Sequence, residues 1–185
     1  MKKGTVIIFP TDTIYGIGCK LYDKVALERI FEIKQRDRSK HIPILVSNIV
    51  AINPIAKYDS KTLAVMQEFW PGPLTLILES TSEFFEKTGE KTIAIRIPDH
   101  YLAIDLINQL GPLRATSVNI SGERPLNTYN EVKEQFGQLV DKVYGEHVGD
   151  YIGVASTIID VSNSEIKLVR EGAILFEDIL KVYQK

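Results

Sequence analysis

The 185-residue sequence has little of what marks several common classes of protein. It contains a single cysteine, Cys19, so an intrachain disulfide cannot form and a disulfide-stabilised secreted scaffold is excluded. No hydrophobic run approaches the roughly 20 residues of a membrane-spanning helix, and the short apolar stretch after Met1 does not resemble a secretory signal. The net charge of −2 means that phosphate binding depends on a local group of basic residues. We expect a cytoplasmic protein with no membrane partner.

Familiar catalytic and nucleotide-binding signatures are also missing. The sequence has neither a GxxxxGK[ST] phosphate loop nor a GxGxxG dinucleotide-binding turn. Its three histidines, His41, His100 and His147, are scattered and lack the spacing of metal ligands. Nothing beside Cys19 marks it as a nucleophile. We expect no metal held by protein side chains, and these absences alone do not name a reaction.

Segments with strand-like and helix-like spacing alternate along the chain. Hydrophobic residues make up 44% and charged residues 25% of the sequence, as in ordinary globular domains. Helices are predicted from about Lys24 to Gln35 behind an Asp23 cap, from a Ser60 cap through Phe69, and over 100–110, 129–136 and 176–182. Strands are predicted over 6–9, 43–46, 74–78, 92–97, 115–120, 156–161 and 166–169. This alternation predicts an α/β fold with a largely buried sheet, and residues 1–185 are predicted to form one domain.

The stretch FPTDTIYGIG (residues 9–18) places polar side chains directly after an apolar strand. Thr11, Asp12 and Thr13 supply hydroxyl and carboxylate groups, and Tyr15 could form the wall of a pocket. A simple turn requires only one or two such residues, so the excess suggests a surface that binds a small polar ligand. An Asx or Ser/Thr turn beside a buried tyrosine is the alternative interpretation.

A basic segment, KQRDRSK (residues 34–40), ends the first long helix. On a loop that leaves the helix, Lys34, Arg36 and Lys40 could converge on a triphosphate, arginine as a planar fork and lysine as a point charge. Basic residues at a helix C-terminus also complement the helix dipole and are usually solvated. The sequence alone leaves both interpretations open.

An arginine lies inside the apolar strand TIAIRI (residues 92–97). Counting by twos places Thr92, Ala94 and Arg96 on one face of the strand, with the isoleucines on the other. That polar face suits a ligand carboxylate held by the guanidinium group of Arg96. A structural ion pair is the alternative.

A fourth polar group lies in ATSVNISG (residues 115–122). Ser117 and Asn119 share one strand face by the same period, where their short side chains could bind the phosphates or ribose of a nucleotide. Capping of the following turn at Ser121 and Gly122 explains them equally well.

Seven segments, taken in order, resemble the YrdC-type threonylcarbamoyl-adenylate synthases. They are FPTDTIYGIG, KQR with its basic loop and PILV, FWPGPLTLIL, TIAIRIPDH, ATSVNISG, ASTIID and LVREG, and they cover nearly the whole chain. The resemblance implies a single YrdC-like domain with a twisted, largely buried mixed sheet flanked by helices. It also implies a nucleotidyltransferase that converts L-threonine, bicarbonate or CO₂, and ATP into threonylcarbamoyl-AMP and pyrophosphate, for threonylcarbamoyladenosine modification of tRNA.

The resemblance also implies roles for individual residues. The lysine-x-arginine and serine-x-asparagine pairs of the family, implied to be catalytic and to line the nucleotide phosphates, fall on Lys34, Arg36, Ser117 and Asn119. Further contacts with ATP are implied for Lys40, Thr92 and Arg170. Contacts with threonine are implied for Thr13, Ser47, Arg96, Ser156 and the backbone of Ala115, with Arg96 on the carboxylate. Mg²⁺ is implied as an ion held by the nucleotide itself.

The chain departs from the family pattern in a few places. Ser47 stands where many relatives have histidine, Pro125 stands where a small hydroxyl residue is common, and the first strand starts within six residues of Met1, where relatives usually carry a helix. The chain resembles the short, single-domain form, which we expect to need a partner complex for transfer to tRNA. The alternative hypothesis is a double-stranded RNA-binding YrdC-like module without synthase activity, and the net charge of −2 argues against it.

Overall fold

The computed structural model describes residues 1–145, 153–163 and 165–185. Its strands are β1 (Ile7–Phe9), β2 (Gly16–Lys20), β3 (Ile44–Leu45), β4 (Leu74–Glu79), β5 (Thr92–Arg96), β6 (Leu113–Ser117), β7 (Lys142–Val143), β8 (Thr157–Asp160) and β9 (Lys167–Arg170). Its helices are α1 (Lys24–Lys34), α2 (Ser60–Phe69), α3 (Ser82–Thr88), α4 (Tyr101–Leu110), α5 (Tyr129–Phe136) and α6 (Phe176–Tyr183), with a 3-10 helix at Ile49–Ile52. Within these described ranges, no helix is long and apolar enough to span a membrane.

All nine strands belong to one sheet, in the order β7-β1-β2-β6-β3-β5-β4-β8-β9. The pairs β1–β7, β3–β5 and β4–β8 are parallel, and the remaining pairs are antiparallel. The sheet is therefore mixed, and helices pack against it. This architecture confirms the α/β fold predicted from the sequence.

Most predicted elements are present, with corrections at their ends. Asp23 caps α1 as expected, since its carboxylate accepts a hydrogen bond from the backbone N–H of Ala26. The cap of α2 is Asp59 rather than Ser60, because the Asp59 carboxylate accepts from the backbone N–H of Thr62 at 2.8 Å. Ser60 is then the first helical residue.

The predicted strand over 115–120 is wrong at its C-terminal end. In the structure, β6 ends at Ser117, and the backbone N–H of Val118 donates to the carbonyl of Tyr15 across the sheet. The chain then turns, so that Leu126 donates back to the carbonyl of Val118. Asn119 therefore lies beyond the strand instead of sharing a strand face with Ser117.

Strand β2 was missed because glycine lowers strand propensity. The structure explains the glycines by the closeness of the neighbouring strand β6. A Cβ atom at Gly18 would lie 2.6 Å from the carbonyl oxygen of Arg114, so only glycine fits this position without a shift of the backbone.

Three buried hydrophobic clusters hold the helices on the sheet. One packs α2 and α6 against the leucines and isoleucines of β4 and β5, including Leu76 and Ile95. A second joins α1 and α5 to one face of β1 and β2, and a third joins α4 to the other face of β1. The face of β4 and β5 opposite to α2 and α6 carries Thr75, Ile77, Ala94 and Arg96, and a cleft opens there.

Candidate functional site

The cleft has a volume of about 380 Å³ and is lined by basic and hydroxyl side chains together with apolar residues such as Leu45 and Ile77. The basic residues are Arg36, His41, Arg96 and Arg170. The hydroxyl residues are Thr11, Thr13, Tyr15, Thr75, Thr116, Ser117 and Ser156. Of the residues that the structure describes, no aspartate or glutamate lines the cleft. The cleft is therefore suited to an anionic ligand, although the whole chain is slightly acidic.

Arg96 lies at the floor of the cleft and is 7% exposed. Its Nε donates to the carbonyl of Gly72 at 3.0 Å, and its Nη1 donates to the hydroxyl of Thr13 at 2.9 Å. Its Nη2 lies 2.7 Å from a carboxylate oxygen of Asp12. Arg96 therefore forms the structural ion pair that the sequence left open and also lines the cleft, while its contact with a ligand carboxylate stays a prediction.

The Arg96–Asp12 pair is incompletely hydrogen-bonded. Oδ2 of Asp12 is buried without a hydrogen-bond partner among the described residues, whereas Nη2 of Arg96 has Oδ1 of Asp12 at 2.7 Å. Buried polar atoms of this kind usually acquire a partner from water or a ligand. Burial lowers the pKa of Arg96, Asp12 opposes this shift, and the charge of Arg170 adds to it. The two arginines are therefore close enough to attract one anion together.

Thr75 and Ser156 join β4 to the start of β8 beside Arg96. Their hydroxyl groups lie 2.9 Å apart, and both residues are buried. Arg170, at the end of β9, donates from Nη2 to the carbonyl of Ser156 at 2.7 Å. These contacts place Arg170 and two hydroxyl groups in a row that continues from Arg96 across the sheet.

Arg36 reaches the cleft from the loop that follows α1. Its Nε donates to the carbonyl of Lys40 at 3.3 Å, and its Nη2 donates to the carbonyl of His41 at 3.1 Å. Partial burial lowers the pKa of Arg36. The loop thus folds back around the guanidinium group, while the Lys40 side chain is exposed and does not line the cleft.

Lys34 has a different position from the one that the family resemblance implied. Its side chain is 1% exposed and does not line the cleft. The ammonium group donates to the carbonyl of Ser117, and to the carbonyl and Oδ1 of Asn119, each of the latter at 2.8 Å. All three N–H donors are thereby used within the protein. Lys34 holds the end of β6 in place rather than presenting its charge to the cleft.

Asn119 connects this buried lysine to the cleft. Its Oδ1 accepts from the hydroxyl of Ser117 at 2.7 Å as well as from Lys34, and its Nδ2 donates to the carbonyl of Glu123 at 2.7 Å. Of these residues, Ser117 alone lines the cleft. The serine-x-asparagine pair therefore has one member in the cleft and one behind it.

The residues implied by the resemblance divide into two groups in the structure. Those that line the cleft are Thr13, Arg36, Arg96, Ala115, Ser117, Ser156 and Arg170. Those that do not line it are Lys34, Lys40, Ser47, Thr92 and Asn119. The binding roles of both groups stay predictions, because no ligand contact tests them.

Sequence reasoning missed Thr75, His41 and the partner of Arg96. Thr75 shares its strand face with Ile77, so counting by twos along LTLIL would have found it. The pairing of Asp12 with Arg96 joins residues 84 positions apart on different elements, and no local pattern reports it.

No cluster of three or more potential metal-ligating side chains from His, Cys, Asp and Glu occurs among the described residues. His147 lies outside the described ranges. Burial raises the pKa of the Cys19 thiol to about 12, which keeps it protonated and unreactive at neutral pH.

A larger groove, of about 800 Å³, lies at the other end of the strands, beside Lys20 and Pro112. Its rim has several lysines, but Asp23 there serves as the cap of α1 and Glu83 pairs with Lys87. The groove lacks the buried, convergent polar groups of the cleft, and the cleft is the better candidate for a functional site.

Comparison with known proteins gives one family. The family model Sua5_yciO_yrdC, described as “Telomere recombination”, matches residues 1–172. Two curated relatives, from Pyrococcus abyssi (strain GE5 / Orsay) and Bacillus subtilis (strain 168), are named threonylcarbamoyl-AMP synthase and are each 34% identical to this chain. The alignments cover 98% and 97% of this chain, but 54% and 53% of the relatives. The chain thus spans about half the length of these curated relatives.

A solved structure shares the fold. The crystal structure of P. abyssi Sua5 complexed with L-threonine superposes with a TM-score of 0.89 at 34% sequence identity. The superposition covers 97% of this chain and 54% of that chain.

Proposed function

Because this chain belongs to the Sua5/YciO/YrdC family, we propose that it is a threonylcarbamoyl-AMP synthase. As a nucleotidyltransferase it forms threonylcarbamoyl-AMP and pyrophosphate from L-threonine, bicarbonate or CO₂, and ATP. The observation that carries the proposal is the charge of the cleft. Three arginines and a histidine line it, no carboxylate side chain of the described residues lines it, and one of the arginines, Arg96, is buried at its floor.

Threonine binds at the floor of the cleft in this proposal. Its carboxylate approaches the guanidinium of Arg96, and the hydroxyl of Thr13 lies beside the same group. The hydroxyls of Thr75 and Ser156 then face the amino-acid side chain, and the backbone of Ala115 closes the pocket. The L-threonine complex of the P. abyssi relative, which has the same fold, supports this class of ligand. Ser47 does not line the cleft, so its proposed contact requires movement of its loop.

ATP binds along the arginines at the rim. Arg36 and Arg170 supply positive charge to the phosphates, and Ser117 supplies a hydroxyl group. Lys34 and Asn119 act by holding the end of β6, where Ser117 lies. Lys40 is exposed on the loop that carries Arg36, and Thr92 lies on the same strand face as Arg96. Neither residue lines the cleft, so we propose that both contact ATP only at the edge of the site.

The reaction needs no protein nucleophile. The amine of threonine adds to CO₂ and releases a proton, and an oxygen of the resulting N-carboxylate attacks the α-phosphorus of ATP. The bond from that phosphorus to the bridging oxygen breaks, and pyrophosphate leaves with the electron pair. The protein contributes positioning and positive charge around the phosphate oxygens, which is the main requirement of phosphoryl-type transfer.

Mg²⁺ enters as part of the nucleotide substrate. The described residues of the cleft include no carboxylate, and Mg²⁺ prefers oxygen ligands such as carboxylates and phosphates. The cleft therefore does not fit a metal held by side chains, and the nucleotide phosphates are the proposed ligands. No step is assigned to the ion.

Transfer of the threonylcarbamoyl group to tRNA requires partners. We propose that residues 1–185 act as one domain, which the single continuous sheet of the described residues supports. We also propose that the protein acts in the cytoplasm and delivers the adenylate to a transfer complex. The names of the curated relatives support the adenylate as the product.

The proposal is tested by release of pyrophosphate from ATP by the purified protein. We expect release that requires both bicarbonate and threonine, with serine a poorer substrate and with no release in the absence of an amino acid. Arg36→Ala should lose most of this release, because it removes a proposed ATP-binding arginine whose guanidinium group bonds only to two backbone carbonyls among the described residues. Absence of release from the wild-type protein, together with tight, salt-sensitive binding of double-stranded RNA, would overturn the synthase in favour of the RNA-binding alternative.

A further inference from the structure

A buried ion pair lies behind the loop that carries Arg36. Arg114 on β6 is 3% exposed, and Glu90 lies in the connection between α3 and β5. Arg114 Nη1 donates to Oε1 of Glu90 at 3.1 Å, and Nη2 pairs with Oε2, so the contact is bidentate. Neither residue lines the cleft, and no step of the proposed reaction uses them.

His41 connects this ion pair to the loop. Its Nδ1 lies 2.7 Å from Oε1 of Glu90, and because the carboxylate accepts, the proton is assigned to Nδ1. The His41 side chain is itself 60% exposed, so packing does not hold the ring in place. The contact with Glu90 is the described interaction that fixes its orientation.

The loop is held at four consecutive carbonyl groups. The carbonyls of Lys40 and His41 accept from Arg36, which lies on the cleft side. The carbonyl of Ile42 accepts from Nη1 of Arg114 at 2.9 Å, and the carbonyl of Pro43 accepts from the backbone N–H of Ala115 at 3.0 Å. Arg36 and Arg114 thus donate hydrogen bonds to neighbouring carbonyls of the same stretch of backbone.

We propose that Glu90 and Arg114 are positioning residues. Through His41 and the carbonyls of residues 41–42, they fix the position of Arg36 relative to the phosphates of ATP. The inference rests on the proposed function, since it concerns the nucleotide part of that site. Among the described contacts, the guanidinium group of Arg36 hydrogen-bonds only to carbonyls of this loop, while its backbone N–H donates to the carbonyl of Phe31 in α1. The network therefore acts on nucleotide binding through Arg36, whereas the side chain of Arg96 lies on a different strand and hydrogen-bonds to none of the network's members.

The first test is His41→Ala, which removes the link to Glu90 without breaking the buried ion pair. We expect ATP to bind about 10-fold more weakly by calorimetry, at the lower end of the roughly 10- to 100-fold losses that follow changes to residues that orient metal ligands. We expect the threonine dissociation constant to change less than twofold, and the KM for ATP to rise while the KM for threonine stays constant. His41→Asn should restore most ATP affinity, because its amide nitrogen occupies a position close to that of Nδ1.

A matched control is an exposed ion pair that joins α1 to the same loop. Glu28→Gln removes the charge of an exposed ion pair with Arg38, which has no link to the carbonyls of residues 40–43, and should leave both affinities unchanged. Equal weakening of ATP and threonine by His41→Ala, or wild-type ATP affinity in that variant, would overturn the inference while the proposed function stands. A wild-type protein that binds no ATP would overturn the proposed function and the inference with it.

Discussion

Replacing Arg96 by alanine is expected to weaken threonine binding at least 100-fold while ATP affinity changes less than about threefold. The expected effect corresponds to roughly 2.8 kcal/mol at about 1.4 kcal/mol per tenfold change. Arg96 is the buried cation at the floor of the cleft, where its Nη2 pairs with Asp12 and the group also lines the cleft. The variant loses the proposed charge-assisted, bidentate contact with the ligand carboxylate. Arg36 and Arg170 still line the rim of the cleft, so ATP affinity is expected to be retained. Calorimetric titration with each ligand separately is the measurement.

The removal of Arg96 also leaves Asp12 without its cation, which requires a control. The carboxylate of Asp12 also accepts from the backbone N–H of Asp99 at 3.0 Å, so it stays hydrogen-bonded, but its charge is no longer balanced. The double variant Arg96→Ala/Asp12→Asn removes that charge. If it regains thermal stability but still fails to bind threonine, the loss belongs to the guanidinium group. Equal loss of threonine and ATP in the double variant would contradict the assignment of Arg96 to the carboxylate.

The Arg96 face of β5 could be predicted because strand geometry is local. Side chains alternate with period two whatever surrounds the strand, so the sequence alone separated Ala94 and Arg96 from Ile93 and Ile95. In the structure the former two line the cleft and the latter two lie in the core. The same reasoning failed for Asn119, because β6 ends at Ser117, three residues before the end of the predicted strand.

The partners of the charged residues could not be predicted from the sequence. Lys34 is at the last position of α1, where a lysine is typically solvated and complements the helix dipole. Its acceptors are Ser117 and Asn119, which lie more than 80 residues later in the sequence. The sequence indicated that these three residues belong together only through the family resemblance, and it did not indicate that they bind one another.

Lys34→Met is therefore expected to have a large effect on stability as well as on turnover. Methionine fills similar space but leaves the carbonyls of Ser117 and Asn119 without a donor, at about 1–3 kcal/mol for each buried unpaired group. We expect the free energy of unfolding at pH 7 to fall by about 2–4 kcal/mol, and pyrophosphate release to fall at least 100-fold because Ser117 loses its support. Urea denaturation and the pyrophosphate assay measure the two effects. Lys40→Met, an exposed lysine on the adjacent loop, should leave the free energy of unfolding nearly unchanged.

The pH dependence of this difference in the free energy of unfolding shows whether burial disfavours the charged form of Lys34. Burial, with added repulsion from Arg36, lowers the pKa of Lys34 from 10.5 to about 7. Between those two values the unfolded chain binds more protons at this position than the folded protein, so Lys34 makes the free energy of unfolding rise with pH across that window. Methionine does not titrate, and the stability advantage of the wild-type protein over Lys34→Met should be larger at pH 9.5 than at pH 6.5. A stability advantage that decreases as the pH rises would contradict this expectation. It would mean that the three acceptors stabilise the charged form more than burial disfavours it, so that the pKa of Lys34 is higher in the folded protein than in the unfolded chain.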